Sequence, residues 1–289
     1  MDFTLYWFMF PASIVVATCA MLSGIGGAAL FTPIFILVFP LLGPEYVLNS
    51  TMAAIATALM TQTFGFLSGF IGYYRRRLID FRLAWRIARV SVPIAVLGAF
   101  AAGLVHDSVL LGSYALLVAV LSYFMWSSPL PVSVSEGHVD GRSQSTITDS
   151  RGHAYTYDDP DLGPGSAALT GVGAFLTGMV SVGIGEVTIS QLTRKHVPIA
   201  VAAATSVLVV IVTIVFASTA LVAQLIKSGG WTAVPWNLLV YDIAGVLIGG
   251  QIGPRLQGRI SHATMRRAIA LLFVVLAIAM MLVALRKLG

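Results

Sequence analysis

Two acids stand inside long apolar stretches of the 289-residue sequence: Glu186, in Gly183-Ile184-Gly185-Glu186, and Asp242, beside Tyr241. A carboxylate among apolar neighbours is costly to keep ionised without compensation, so both are candidates for carrying a proton. Glu186 closes a glycine turn that has a counterpart 159 residues earlier, Gly24-Ile25-Gly26-Gly27. Each turn interrupts an apolar segment before it is long enough to cross a bilayer. A helix broken there exposes N–H groups with no intrahelical partner, and these favour an anion without a fixed lysine. Glycine also tolerates positive φ and lets a ligand or another backbone come close. Gly24, Ile25, Gly26, Gly27, Gly183, Ile184 and Gly185 are therefore candidate binding residues, small-residue helix packing being the other reading of such glycines.

Hydroxyls follow each turn. After the first come Ser50, Thr51, Thr57 and Thr61, with Gln62; after the second come Thr205, Ser206 and Thr213. Thr57 and Thr61 are four residues apart and share a helix face. Thr57, Gln62, Thr205 and Ser206 are the preferred side-chain ligands for an oxyanion, by their places after the turns. Back-bonding to a carbonyl one turn earlier is the alternative for each Ser or Thr. Glu186 would compete with an anion when ionised and free the site when protonated; capping its helix or pairing with Arg194 are its structural alternatives. No His pair at i, i+4 and no Cys–His cluster suggests a metal, and no phosphate-binding loop suggests a nucleotide. No nucleophile–base pair marks an enzyme, so neither catalysis nor a cofactor is expected. The single Cys19 excludes a disulfide framework and reads as a small core residue.

The elements that must hold these groups are helices in lipid. The sequence is 57% hydrophobic and 10% charged, with mean hydropathy +0.90, against about 25% charged residues in a soluble domain. Its apolar runs are continuous rather than alternating, which selects helices over a barrel. They cover Leu5–Leu22, Ala28–Leu42, Val47–Tyr73, Val90–Val105 and Val109–Trp126, then Ser166–Val182, Val187–Leu192, Val197–Ile226, Val234–Ile252 and Met265–Leu285. The first run lacks a basic flank and a cleavage site and is expected to belong to the mature chain. Residues 127–165 are polar and rich in Ser, Pro and Gly, a connecting loop in which Ser145–Tyr157 has the pattern of a hairpin.

The order repeats. Ala56-Thr57 matches Ala204-Thr205, and Leu97-Gly98 with Gly103 matches Ile248-Gly249 with Gly253. From Glu186 to Lys195 is about 15 Å of helix, half a span, so the segments around each turn form hairpins broken at mid-membrane. The expected fold is an all-α polytopic membrane protein of two inverted repeats, each a broken-helix hairpin plus three transmembrane helices. The halves are 1–126 and 166–289, joined by a cytoplasmic loop at 127–165. With the Arg75-Arg76-Arg77 cluster placed in the cytoplasm, 14 of the 17 Lys and Arg fall inside and only Lys227, Arg286 and Lys287 outside. Both termini then lie outside a plasma membrane. The net charge of +5 follows this topology and does not imply nucleic acid.

The turns resemble those of the TauE/SafE family of sulfite and organosulfonate exporters, also called toluene-sulfonate uptake permeases. The resemblance rests on Ser23-Gly24-Ile25-Gly26-Gly27-Ala28-Ala29-Leu30-Phe31-Thr32-Pro33 with Ala54-Ile55-Ala56-Thr57. Its second copy is Gly183-Ile184-Gly185-Glu186, then Pro198 and Ala203-Ala204-Thr205-Ser206. Glu186 stands where the family often has glycine, and Ala28 where it usually has a third. The resemblance implies a secondary transporter of sulfite or small organosulfonates, exporting by alternating access with a proton as a candidate coupling ion. The partners are then a small anionic substrate and the lipid bilayer, with no nucleic acid and with a homo-oligomer compatible. An anion channel of the same architecture is the alternative, as is a membrane-embedded partner protein acting through the 127–165 loop.

Overall fold

A computed structural model describes residues 2–23, 26–127, 144–256 and 262–286. Gly24, Ile25 and the start of the connecting loop lie outside the described residues. The chain is helical almost throughout. Helix α1 (Met9–Ser23) precedes the first glycine turn, and α2 (Ala28–Pro33) leaves it, passes through a π turn at Ile34–Val38 and ends as α3 (Phe39–Leu42). Pro33 and Pro40 each withhold an N–H from the ladder, and the helix widens between them. Then come α4 (Thr51–Arg75), α5 (Phe81–Ala102) and α6 (Asp107–Ser127). The second set is α7 (Pro164–Val180), α8 (Ile184–Arg194), α9 (Ile199–Gly229), α10 (Trp236–Leu256) and α11 (His262–Arg286). Among the described residues α4, α5 and α9 are long and apolar enough to cross a membrane.

Helix ends follow local chemistry. Ser50 accepts the Ala53 N–H at 3.1 Å and caps α4, and Asp80 accepts the Leu83 N–H at 2.9 Å and caps α5. That cap starts α5 nine residues before its apolar run, with Arg82, Arg86 and Arg89 on the added turns. Hydropathy alone misses such turns because their side chains are charged.

The helices pair α1 with α10, α5 with α7, α5 with α9, α4 with α10, α4 with α9, and α6 with α11. Glycines set the closest crossings. A Cβ on Gly98 would lie 2.1 Å from the Phe175 carbonyl oxygen, and one on Gly178 1.9 Å from that of Ala95, which locks α5 to α7. Across α1 and α10, Gly245 and Gly249 face the carbonyls of Phe10 and Ile14, each with room for no Cβ at 2.5 Å.

The connecting segment is not wholly irregular. Strand β1 (Gln144–Thr148) pairs antiparallel with β2 (Ala154–Asp158), Ser145 opposite Tyr157, so the expected hairpin forms and adds a small sheet to the helical fold. It is anchored on the helix ends that carry the arginine cluster. Ser150 N–H donates to the Arg76 carbonyl at 3.0 Å, and Arg86 Nη1 bridges both oxygens of Asp159 at 2.9 and 3.0 Å. The buried Tyr157 hydroxyl donates to Asp80 Oδ2 at 2.7 Å. Lys195, at the end of α8, donates to the Asp161 carbonyl. These contacts place the ends of α4 and α8 and the start of α5 on one face, called here the arginine face. Burial, and then the adjoining Asp80 carboxylate, push the Tyr157 phenol well above the ordinary tyrosine range.

Gly178→Ala should lower the detergent unfolding midpoint, because overpacking against a carbonyl costs about 1–3 kcal/mol or more. Gly112→Ala on α6, where an added Cβ meets nothing within 4 Å, should leave it unchanged or slightly raised. Tyr157 contributes to hairpin docking fully below the ordinary tyrosine value of 10.0, and that contribution should fall as pH rises beyond it. Proteolysis within 144–158 at increasing pH reads this, and Tyr157→Phe should expose the hairpin already at neutral pH.

Candidate anion site between two helix breaks

The second glycine turn is described completely. Helix α7 stops at Val180, Ser181 takes a left-handed conformation with φ of 70°, and Gly183 has φ of 140° before α8 begins at Ile184. Glycine is required at 183, since its φ disfavours any side chain and a Cβ would stand 2.7 Å from the Gly173 carbonyl. The Ile184 N–H, orphaned by the break, is taken by Thr177 Oγ1 at 2.7 Å. Helix α8 is 11 residues long, about 16 Å, and ends at the arginine face.

Of the first turn, Gly26 and Gly27 are described. Gly27 is the N-cap of α2 with an ordinary helical φ of −56°, and it is buried outside the cavity described below. Helix α2 begins at Ala28, where the second apolar run begins, and the Ala28 N–H donates to Gln62 Oε1 at 2.6 Å. Glycine is also favoured at Gly26, where a Cβ would meet Gln62 Nε2 at 3.0 Å.

The two breaks face each other, and the contact between them is chemical. Gly26 N–H donates to Glu186 Oε1 at 3.3 Å, across 160 residues of sequence. The main-chain N–H groups of Gly183 and of Glu186 itself also face this carboxylate. Glu186 lies in the first turn of α8 and points to the opposite break, whereas Arg194 is eight residues further on, about 12 Å along the helix. The Gly26 N–H thus reaches a carboxylate oxygen across the two breaks, a contact that another oxyanion can also make.

Beside this contact lies a cavity of about 50 Å³. Waters occupy about 10–15 Å³ each on this measure, so it takes a few waters or one small oxyanion. Gly26, Gln62, Ser181, Gly183, Ile184, Gly185, Glu186 and Ser206 form its polar and main-chain lining, with Met21, Phe66, Val207 and Val210 among the apolar groups. It extends toward the arginine face, past Tyr73 near the end of α4 and Ala203 near the start of α9. The other side is tied shut. Thr32 Oγ1 and Ser181 Oγ lie 3.0 Å apart, and the Tyr114 hydroxyl donates to the Ala29 carbonyl at 2.6 Å.

Of the expected side-chain ligands, Gln62 and Ser206 reach the cavity, Ser206 donating to the Gly185 carbonyl at 3.2 Å. Thr57 does not, because its hydroxyl donates to the Ala53 carbonyl one turn back at 2.7 Å. Thr205 points away and accepts the Asp80 N–H at 3.1 Å, tying α9 to the start of α5. Thr61 does not share the oxyanion with Thr57, as it turns toward α10. Asp242 is fully buried at a separate place, where it accepts from Ser13 Oγ at 2.6 Å. Thr177, Ser181, Thr32 and Tyr114 were not singled out from sequence. Thr177 and Ser181 precede the second break directly, where partners for freed backbone groups are needed; Tyr114 has no local signal.

A model of the sulfite exporter TauE/SafE family matches residues 9–280. The chain belongs to that family. Neither a curated protein nor a solved structure matches it. TauE/SafE membership implies a membrane transporter of sulfite or related sulfur anions rather than an enzyme, working in lipid on a small anionic substrate. In this TauE/SafE chain the paired breaks and their cavity are the place whose chemistry fits such a cargo.

Gln62→Leu leaves the Ala28 N–H without its acceptor and should destabilise the protein by about 1–3 kcal/mol. Thr57→Val should cost much less, because the hydroxyl serves only a carbonyl already bonded in the helix. Thermal unfolding in detergent compares the two, and equal losses would contradict the assignment of Gln62 as the partner of the first break.

Proposed function

We propose that this protein is a secondary exporter of sulfite or small organosulfonates, and that the substrate binds between Gly26 and the Gly183–Glu186 turn. The observation that carries this reading is the Glu186 carboxylate held by the Gly26 N–H beside a cavity sized for a small oxyanion. The substrate takes the place of that carboxylate on the main-chain N–H groups, with Gln62 and Ser206 beside it. Gly24 and Ile25, which continue the first turn, complete the binding segment.

The two halves are inverted repeats, 1–126 and 166–289, joined by 127–165. Helix pairing supports this. Exchanging α1, α4, α5 and α6 for α7, α9, α10 and α11 returns the same set of partners: α1–α10 becomes α7–α5, α5–α9 becomes α10–α4, and α4–α9 and α6–α11 map onto themselves. The glycine crossings follow the same exchange, Gly98 against Phe175 and Gly249 against Ile14. Such a pair of hairpins alternates access when one half rocks against the other.

By the distribution of positive charge, the arginine face is cytoplasmic in a plasma membrane and both termini are outside. The cavity then opens from the centre toward the cytoplasm, and the contacts of Thr32, Ser181, Tyr114 and Ala29 seal the outside. This is the arrangement of an exporter ready to load. Glu186 and Asp242 are the two candidate proton carriers. Displacement of the Glu186 carboxylate from Gly26 frees the N–H groups for substrate.

Proteoliposomes should take up labelled sulfite or a small sulfonate with saturation, and a pH gradient should alter the rate. Conductance without saturation would indicate a channel instead. A leucine at Gly185, where even a Cβ lies 3.3 Å from Val210, should fill the cavity and abolish flux while the protein still inserts. Unchanged flux in Gly185→Leu would falsify the site; absence of flux for every sulfur oxyanion with the native protein would remove the substrate class.

A further inference from the structure

Asp242 lies away from the glycine turns, with no exposed surface, on the face of α10 between α1 and α4. Its Oδ1 accepts from Ser13 Oγ of α1 at 2.6 Å. The Thr61 hydroxyl of α4 approaches the same carboxyl closely enough to interact with it. Neither Asp242 Oδ2 nor Thr61 Oγ1 reaches hydrogen-bond geometry with any described group, although both atoms are buried. Ser13 is likewise fully buried.

No Lys, Arg or His occurs within ten residues of Asp242, Ser13 or Thr61 along their helices. The titratable groups of α1 and α4 are Cys19, Tyr73, Tyr74 and Arg75, the nearest of them six positions from its hydroxyl, about 9 Å along the helix. On α10, Tyr241 joins the apolar cluster of Tyr6 and Phe39. The groups facing the carboxyl from the packed helices are therefore two neutral hydroxyls. An uncompensated carboxylate in such surroundings costs several kcal/mol, whereas the neutral acid does not. One proton also supplies the missing hydrogen bond, from Oδ2–H to Thr61 Oγ1.

The related place in the other half serves as an internal control. With Gly98 aligned to Gly249, Ser91 of α5 stands where Asp242 stands in α10. Ser91 Oγ and Thr213 Oγ1 of α9 are 2.6 Å apart and buried. Two hydroxyls therefore suffice to join α5 to α9, and packing by itself does not require an acid at this crossing. Glu186 differs in another way, since main-chain N–H groups face its carboxylate and one hydroxyl holds that of Asp242. A metal ion fits poorly. Helices α1 and α10 are unbroken here, so their carbonyls stay in the ladder, and three side chains offer four oxygens against the roughly six or more that hard cations take.

We propose that Asp242, Ser13 and Thr61 form a proton-binding site, distinct from the anion site and coupled to it through α4 and α1. Thr61 precedes Gln62, which holds the first break and lines the cavity, and α1 leads directly into that break. Binding a proton closes the α1–α10–α4 seam by the Asp242–Thr61 hydrogen bond; releasing it opens the seam and moves both supports of the first break. This rests on the transporter reading and assigns proton coupling to Asp242 rather than Glu186.

The experiment has two arms, each with the full-length protein, Asp242→Asn and Glu186→Gln. Infrared spectra of purified protein without substrate should contain a protonated-carboxyl stretch that is lost in Asp242→Asn and persists in Glu186→Gln. Ser13→Ala, which removes the partner of Oδ1, should shift that band. In proteoliposomes, sulfite accumulation by Asp242→Asn should be the same with and without an imposed pH gradient, whereas the native protein responds to it. A carboxyl band unchanged in Asp242→Asn, or a preserved gradient response in that variant, overturns the proposal. If the native protein moves no sulfur oxyanion, the transporter reading fails, while the infrared arm still decides whether Asp242 holds a proton.

Discussion

Inside a bilayer no water is at hand for main-chain N–H and C=O groups, so each must find a partner in the protein. Both helix breaks expose such groups in the middle of the fold, and the surrounding side chains answer them. Gln62 takes the Ala28 N–H, Thr177 the Ile184 N–H, and Tyr114 gives its hydroxyl to the Ala29 carbonyl, all at 2.6–2.7 Å. The link from Gly26 to Glu186 is longer, at 3.3 Å, and its acceptor is a carboxylate. It is the member of this set that another oxyanion can replace without stranding the backbone. The short bonds hold the breaks in shape, and the long one is where the proposed function puts the substrate.

Holding two helix ends together at this depth demands a rigid frame. Glycine against carbonyl, at Gly98 and Gly178 on one side and Gly245 and Gly249 on the other, lets the helices carrying the breaks lie against their supports at backbone distance. The hairpin of the connecting segment then clamps the arginine face, through Tyr157 to Asp80 and Arg86 to Asp159. Asp80 also caps α5 and reaches Thr205, which precedes Ser206 of the cavity. One carboxylate thereby links the hairpin of the connecting segment, a helix start and the neighbourhood of the cavity.

In the proposed two-half arrangement the halves share a frame and differ in their acids. Glu186 enters the second break without a counterpart in the first, and Asp242 occupies a crossing that Ser91 and Thr213 serve with hydroxyls alone. Two acids stand in an otherwise neutral frame, in different surroundings. A main-chain N–H from the opposite break reaches Glu186, while an apolar, hydroxyl-lined seam surrounds Asp242.

Sequence by itself determined the membrane class, the helix order, the two breaks and the acids of interest, because hydropathy and glycine spacing are local properties. The length of α8 follows from counting residues between Gly183 and the Arg194-Lys195 pair. Family membership was legible in the same turns. Which hydroxyls face the cavity was not. Thr57 and Thr205 occupy matching places after their turns, yet one bonds to its own helix and the other to Asp80 at the start of the neighbouring α5, a difference that no local pattern marks. Helix α5 began earlier than hydropathy suggested because a capping acid and charged turns carry no apolar signal. Only the tertiary structure decided that Glu186 reaches Gly26 and that Asp242 meets Ser13 and Thr61, since partners 160 and 229 residues apart are brought together by packing rather than by any pattern along the chain.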